Sequence, residues 1–374
     1  MGLIFDTDIP YGNAHLWYIT ENKCLAEIAF SPEPHGGPEA MWFCFRIARG
    51  KNCRTKKLKL VLKHFKNLLG AEDPSSLSIV VKTPGSVWKR LGRGSLINCL
   101  DGQVSAVWDF DFSSDEALFA LSFPYGEEEM DSLVSPGGYW KKDDIGLSQE
   151  GRPISRVSNS YGAEKSETPG IYFVARQHSG EVSGSWVLHG LLTSLAARKE
   201  KKIIAWGVPL SNIDGIMKGD YGKDNFPYDL NRAWGSPAMR HETLVIKNDI
   251  SRWFGRCAPK AILDFHSPSM CETDGTYAFI SRKDGKPHKK SVEFGQIIKE
   301  AVSCTGFASE DFVRSSNFEG RWSTPPLVSF ASNSFDIPSL SFEFPYSFCG
   351  SKELHTVDYI RIGEAICEGI CKGT

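Results

Sequence analysis

The stretch Ile171-Tyr-Phe-Val174-Ala175-Arg-Gln-His178-Ser-Gly-Glu181-Val-Ser-Gly-Ser-Trp186 decides how this chain is read. Its apolar opening, Ile171 to Val174, has the length and content of a buried strand. The segment from Trp186 to Ala197 places Trp186, Leu188, Leu191, Leu192 and Leu195 at helical spacing. A strand-loop-helix junction therefore presents His178 and Glu181 together. Three-residue spacing across such a junction lets an imidazole nitrogen and a carboxylate converge on one cation, and two His, one Glu and a water form a known catalytic zinc set. A short His-x-x-Glu match also arises by chance, so its weight depends on the residues downstream of it.

Downstream, apolar runs alternate with amphipathic segments. Lys202 to Val208, Ala261 to Phe265 and Ser339 to Phe344 read as strands, and Met239 to Phe254, Ser291 to Ser303 and Val357 to Cys371 as helices. That succession predicts an α/β domain with a mixed, largely parallel sheet flanked by helices. Upstream the texture differs. Leu25 to Phe30, Met41 to Ile47, Leu77 to Val81, Val104 to Phe112 and Ala117 to Phe123 are short runs separated by Gly, Pro and Asp clusters, the pattern of a small β-sandwich. Between Arg54 and Lys66, Lys57, Lys59 and Lys63 alternate with Leu58, Leu60 and Leu62, which predicts a strand with one wet face rather than a binding patch. The turn-rich Pro124 to Met130 and the polar Lys141 to Thr168 mark a boundary, dividing the chain into a sandwich over 1–135 and a catalytic domain over 136–374.

A chain of 374 residues has room for two cores. Its 41% hydrophobic and 24% charged content is that of a globular protein, and 43 basic against 45 acidic residues leave no electrostatic footprint for nucleic acid. No segment reaches the roughly 18 uninterrupted apolar residues of a membrane span. The start, Met1-Gly-Leu-Ile-Phe-Asp-Thr-Asp, lacks the basic and apolar runs of a secretory signal, so a cytoplasmic protein is expected. Ten scattered cysteines, with no Cys-x-x-Cys pair, are expected to be reduced and mostly buried.

In α/β sheets chemistry gathers where strands end at their carboxyl edge. Besides His178 and Glu181, two such exits carry suitable groups. Ala261-Ile-Leu-Asp264-Phe-His266 delivers a His where a third metal ligand would be needed. Pro338-Ser-Leu-Ser-Phe-Glu343-Phe-Pro345 places a carboxylate among apolar neighbours, where desolvation raises its pKa and suits it to general-base work. Between them, Tyr228-Asp-Leu-Asn231-Arg232-Ala-Trp234 sets an amide beside a guanidinium, a pair suited to capturing a carboxylate.

In this order the residues resemble the zinc carboxypeptidases, and within them the cytosolic carboxypeptidase-like branch. The resemblance rests on Ala-Arg-Gln-His178-x-x-Glu181 followed by Gly-Ser-Trp, on Asn212-x-Asp-Gly215, on Asp229-Leu-Asn231-Arg232-x-Trp234, on Asp264-x-His266 and on Glu343. Trp42-Phe-x-Phe-Arg and Ser122-Phe-Pro-Tyr125 resemble the sandwich that precedes the catalytic domain in that branch. The resemblance implies one zinc ion on His178, Glu181 and His266, substrate carboxylate held by Asn231 and Arg232, and Glu343 as the catalytic carboxylate. It also implies that the partner is a peptide or protein carboxyl terminus, with acidic terminal residues.

Two positions depart from that pattern. Where the branch carries an Arg that stabilises the oxyanion, Gly219-Asp-Tyr-Gly-Lys223-Asp offers Lys223, a cation without the guanidinium fork. No tyrosine lies between Tyr277 and Tyr346, where the family often has a mobile one upstream of the catalytic Glu. Three readings stay open: a metallocarboxypeptidase; a related zinc amide hydrolase acting on a small acyl amino acid or cell-wall peptide; and a peptide-binding relative with little turnover.

Overall fold

A computed structural model describes residues 2–98, 104–199, 202–315 and 322–373. The amino-terminal half folds as two five-stranded sheets. One runs in the order Leu3–Asp6, Cys44–Arg49, Glu116–Ala120, Val80–Lys82, Lys89–Arg90, and the other in the order His15–Asn22, Leu25–Ser31, Lys57–Leu62, Val104–Asp111, Ser95–Asn98. They meet face to face through aromatic rings: Phe30 packs on Phe43 and Phe45 at 5.1 and 4.7 Å, and Phe110 meets Phe119 edge-on at 5.4 Å. The Lys57–Leu62 strand keeps Leu58 and Leu60 buried while Lys59 pairs with Glu27 at 3.0 Å, so the basic run is a wet strand face as expected.

The carboxyl-terminal half is built on one eight-stranded sheet. In chain order its strands are β1 (Lys141–Leu147), β2 (Pro153–Ser158), β3 (Pro169–Ala175), β4 (Ile204–Val208), β5 (Ala258–His266), β6 (Thr276–Ile280), β7 (Ala308–Ser315) and β8 (Ser339–Glu343). In space they run β1-β2-β4-β3-β5-β8-β6-β7. The pairs β3/β4, β3/β5, β5/β8 and β6/β7 are parallel, and β1/β2, β2/β4 and β6/β8 antiparallel. The helices are α1 (Val182–Ala197), α2 (Ile213–Lys218), α3 (His241–Phe254), α4 (Lys289–Ser303), α5 (Leu327–Phe335) and α6 (Thr356–Gly373). Along β3, Ile171, Phe173 and Ala175 face one core with α1, α4 and α6, while Tyr172 and Val174 face a second with α3 and α5. A strand covered on both sides has no polar face, which is why Ile171 to Ala175 reads as one apolar run.

Helix α1 is buried almost all round and lies against α6. The two approach through glycines: a Cβ at Gly190 would stand 2.2 Å from the Ile360 carbonyl oxygen, and one at Gly363 would stand 2.0 Å from that of Val187. The first core cluster also runs unbroken from Phe30, Phe45 and Phe119 of the sandwich into Leu188, Phe265 and Phe342. Arg90 crosses between the halves, its guanidinium donating to the Leu354 carbonyl at 2.9 Å and to those of Ser78 and Tyr346.

Several expectations need correction. The polar Lys141 to Thr168, read only as a boundary marker, holds the hairpin β1–β2 at the sheet edge, where a strand with a wet face carries charged residues. Leu77 to Val81 narrows to a strand over Val80–Lys82 behind a short turn capped by Asp73. Strands β6 and β7 and helix α5 had no counterpart in the sequence reading. Of nine described cysteines, all free, three are buried, four half-buried, and Cys24 and Cys304 exposed, because turns and helix ends carry them; Cys99 lies outside the described residues.

Candidate metal centre and catalytic cleft

The carboxyl ends of β3, β5 and β8 lie side by side. In the β5/β8 register His266 stands opposite Glu343, and β3 ends at Ala175 beside Phe265. The loop after β3 then brings back His178, and Glu181 occupies the position just before α1. Side-chain donor atoms of His178, Glu181 and His266 lie within 4.8 Å of one another, all buried. Each imidazole turns Nδ1 toward the shared carboxylate: His178 Nδ1 is 2.8 Å from Glu181 Oε1 and His266 Nδ1 is 2.7 Å from Glu181 Oε2.

The opposite ring nitrogens are anchored on carboxylates. With its proton on Nε2, His178 donates to Asp229 at 3.2 Å and His266 donates to Asp264 at 2.8 Å. Asp264 in turn accepts from Gln177 Nε2 at 2.7 Å, and Gln177 Oε1 accepts from the Trp234 indole at 2.7 Å. The Ser267 backbone N–H donates to Glu181 at 3.2 Å. Such outer carboxylates fix the tautomer that leaves Nδ1 with a lone pair, the arrangement of a carboxylate–histidine–metal relay. Two imidazole nitrogens and one carboxylate converging this way fit a zinc ion with a position left for water.

The electrostatics agree. Burial works against protonation of His178, but Glu181 and Asp229 outweigh it and lift the group to about 9. At His266 burial is likewise outweighed, by Asp264 and Glu181, and the group stands well above its usual range. Burial would raise Glu181, yet the two imidazoles hold it far below the ordinary carboxylate range. Without metal the centre thus holds protons where a cation belongs.

Glu343 behaves in the opposite way. Burial, and then the charge of Glu181, push it up to about 8, with His266, Lys223 and His178 pulling back. Its Oε2 has no hydrogen-bond partner among the described residues. The carboxylate faces a cavity of about 240 Å³ that His178, Glu181, Lys223, Asn231, Arg232, His266 and Glu343 all line, so the structure brings every candidate residue to one place. Asn231 spends its side-chain oxygen on the Leu327 N–H at the start of α5, at 3.1 Å, and its amide nitrogen lies 3.1 Å from His266 Nε2. Arg232 is half-exposed, one arm of its fork donating to the Asn231 carbonyl at 2.9 Å. Lys223 Nζ lies 3.8 Å from Glu39 of the amino-terminal half.

Several residues in the cleft escaped the sequence reading. Asp229 and Asp264 were visible as motif members but not as histidine anchors; the same-face spacing of Asp264 and His266 on a strand was the available signal. The wall residues Phe279, Trp322 and Thr324 had none. The Trp322 indole packs at a tilt on Tyr228, ring centroids 4.1 Å apart, and donates to Asp224 at 3.0 Å. Tyr346 is fully buried, its hydroxyl donating to the Gly180 carbonyl at 3.4 Å, which makes it a packed residue rather than a mobile one.

The same arrangement of chain recurs in known proteins. No family profile matches the chain. Curated relatives include cytosolic carboxypeptidase 6 of Mus musculus, 24% identical over 300 residues that make up 73% of this chain and 55% of that protein. The Homo sapiens protein of the same name is 24% identical over 339 residues, 83% of this chain and 66% of that one. The chain thus spans less than two thirds of the length of these relatives. Among solved structures, a metallo-carboxypeptidase from Burkholderia cenocepacia superposes with a TM-score of 0.78 at 19% identity over 99% of this chain and 98% of that one. One from Pseudomonas aeruginosa, solved with (2-guanidinoethylmercapto)succinic acid, gives 0.76 at 18% identity over 99% and 98%. These structures share the fold along the whole chain, sandwich included. With relatives of one kind in sequence, a shared fold end to end and a His-Glu-His cluster at the ends of the central strands, the chain is similar in sequence to the cytosolic carboxypeptidases and shares the fold of the metallo-carboxypeptidases.

Proposed function

We propose that the chain is a zinc-dependent metallocarboxypeptidase that removes residues from the carboxyl termini of peptides or proteins. The observation that carries this reading is one cavity lined by the three metal-binding side chains, a carboxylate of raised pKa and a guanidinium. His178, Glu181 and His266 hold the ion, with Asp229 and Asp264 fixing the imidazoles. Zinc bound there acidifies a water and polarises a carbonyl. Glu343 takes the water proton and passes it to the leaving amine, a task for which a carboxylate held near neutrality is suited. Arg232, beside Asn231, receives the terminal carboxylate through charge-assisted hydrogen bonds, and Lys223 supplies a positive charge at the scissile carbonyl oxygen. The relatives' name supports a cytoplasmic setting, and the described residues include no helix long and apolar enough to cross a membrane. The division at residues 135 and 136 belongs to the same proposal.

The test compares matched peptides with free and amidated carboxyl termini, read by mass spectrometry on zinc-loaded protein. A free carboxylate accepts two parallel bonds from a guanidinium, each contributing ~1.5–3 kcal/mol. Arg232→Ala is expected to lower kcat/KM on the free-carboxyl peptide by at least ~10- to 100-fold, the worth of one such bond, and to change the amidated one far less. Equal cleavage of both peptides by the parent, with equal loss in the variant, would remove the exopeptidase reading.

A further inference from the structure

The loop that carries Lys223 into the cleft is packed against the amino-terminal half. The segment 32–40, leaving the sandwich strand Leu25–Ser31, runs along residues 219–226, the loop that carries Lys223. Asn13 Nδ2 donates to the Gly219 carbonyl at 2.7 Å, and His35 Nδ1 shares a hydrogen bond with Asp220 Oδ1 at 2.8 Å. Gly37 approaches so closely that a Cβ there would meet Asn225 Oδ1 at 2.0 Å. The same loop is tied to the metal side, because Gly180 N–H donates to the Tyr221 carbonyl at 2.9 Å and the Ser179 hydroxyl to that of Asp220 at 3.0 Å. Glu39 stands at the end of this contact. Its side chain is 13% exposed, against 32% for the Lys223 side chain it faces at 3.8 Å.

A lysine ammonium rides on a flexible four-carbon stem and takes up many rotamers unless a partner selects among them. A mostly buried carboxylate at salt-bridge distance makes that selection. We propose that Glu39, supplied by the sandwich, is a positioning residue that holds the Lys223 ammonium at the cavity wall. This rests on the carboxypeptidase reading. The role of the sandwich is then to brace one wall of the cleft from behind, and its carboxylate acts on turnover through Lys223 rather than by touching substrate.

Steady-state kinetics on the full, zinc-loaded chain with a free-carboxyl peptide test this. Glu39→Gln is expected to lower kcat about tenfold with KM within about twofold, and Glu39→Asp to recover part of the loss. In a Lys223→Met background Glu39→Gln should have no further effect. Parental kcat in Glu39→Gln, or an equal loss in both backgrounds, would overturn the proposal, the latter showing a mere brace between domains. A second readout needs no turnover: after reductive ¹³C-methylation, the Lys223 signal, assigned by its disappearance in Lys223→Met, should be restricted in the parent and resemble a free lysine in Glu39→Gln. An identical signal in both would also overturn it. A parent that cleaves no carboxyl terminus sinks the proposed function alone and leaves this readout to decide the role of Glu39.

Discussion

The two ends of the cavity are built on different principles. At the metal end each group is buried and doubly held: His178 between Glu181 and Asp229, His266 between Glu181 and Asp264, and Glu181 by both imidazoles and the Ser267 amide. At the substrate end the groups are half-exposed and more loosely held: Lys223 faces Glu39 at 3.8 Å, Arg232 donates to a neighbouring carbonyl, and Trp322 rests on Asp224 and the Tyr228 ring. His266 ends a strand and Glu181 heads a helix, fixed by backbone that cannot move without breaking the sheet, and His178 sits in the short buried loop between β3 and α1. Loop residues take their positions from whatever packs beside them. Metal affinity should therefore be robust to changes at the substrate end, and turnover should not.

The largest effect comes from breaking the metal end. His266→Ala removes one of three ligands and should leave little zinc by metal analysis and hydrolysis at background; retained zinc would mean the ion sits elsewhere. Next is Glu343→Gln, which cannot accept the water proton and should lose ~10²–10⁴ in kcat while keeping its zinc. Near-parental turnover would assign the base to another group. Smaller again, Asp264→Asn should weaken zinc binding by ~10–100-fold because it loosens the tautomer of His266. Zinc affinity unchanged in that variant would erase the contrast drawn between the two ends.

The smallest effect is a pH dependence. In the metal-free protein His178, lifted from 6.5 to about 9, stabilises the fold below pH 6.5 and loses that contribution as pH rises through about 9. Glu343, raised to about 8, works in the same direction, since its ionised form is disfavoured in the fold. Chelated protein should accordingly show a lower Tm at pH 9 than at pH 6.5. Zinc displaces the same protons, so its affinity should rise over that window. A chelated protein more stable at pH 9 would contradict the protonated centre.

The contrast also explains what could be read from sequence. His178, Glu181, His266 and Glu343 follow apolar runs whose strand character is plain, so position and chemistry were legible together. Asp229 was not legible as a partner because 51 residues separate it from His178 and only the fold closes that gap. Strand β7, Ala308–Ser315, hid because it is an edge strand with Glu310 and Asp311 exposed between buried Ser309 and Phe312. Helix α5 hid because its nine residues include three serines, an Asn and two Phe, and it begins after a proline. Trp322, Thr324 and Glu39 sit in irregular segments, where no period marks which residues turn inward.

The glycine contact between α1 and α6 has a consequence for tolerance to substitution. Glu181 stands at the head of α1, and Gly190 lies nine residues along it, roughly 13 Å away at the rise of a helix. A single methyl at Gly190 or Gly363 would collide with the facing backbone at about 2 Å, and the rigid rod would shift or tilt as a whole. The carboxylate at its tip would move with it. A survey of substitutions would then score two glycines, far from any substrate and without a functional group, among the residues that matter most to the metal.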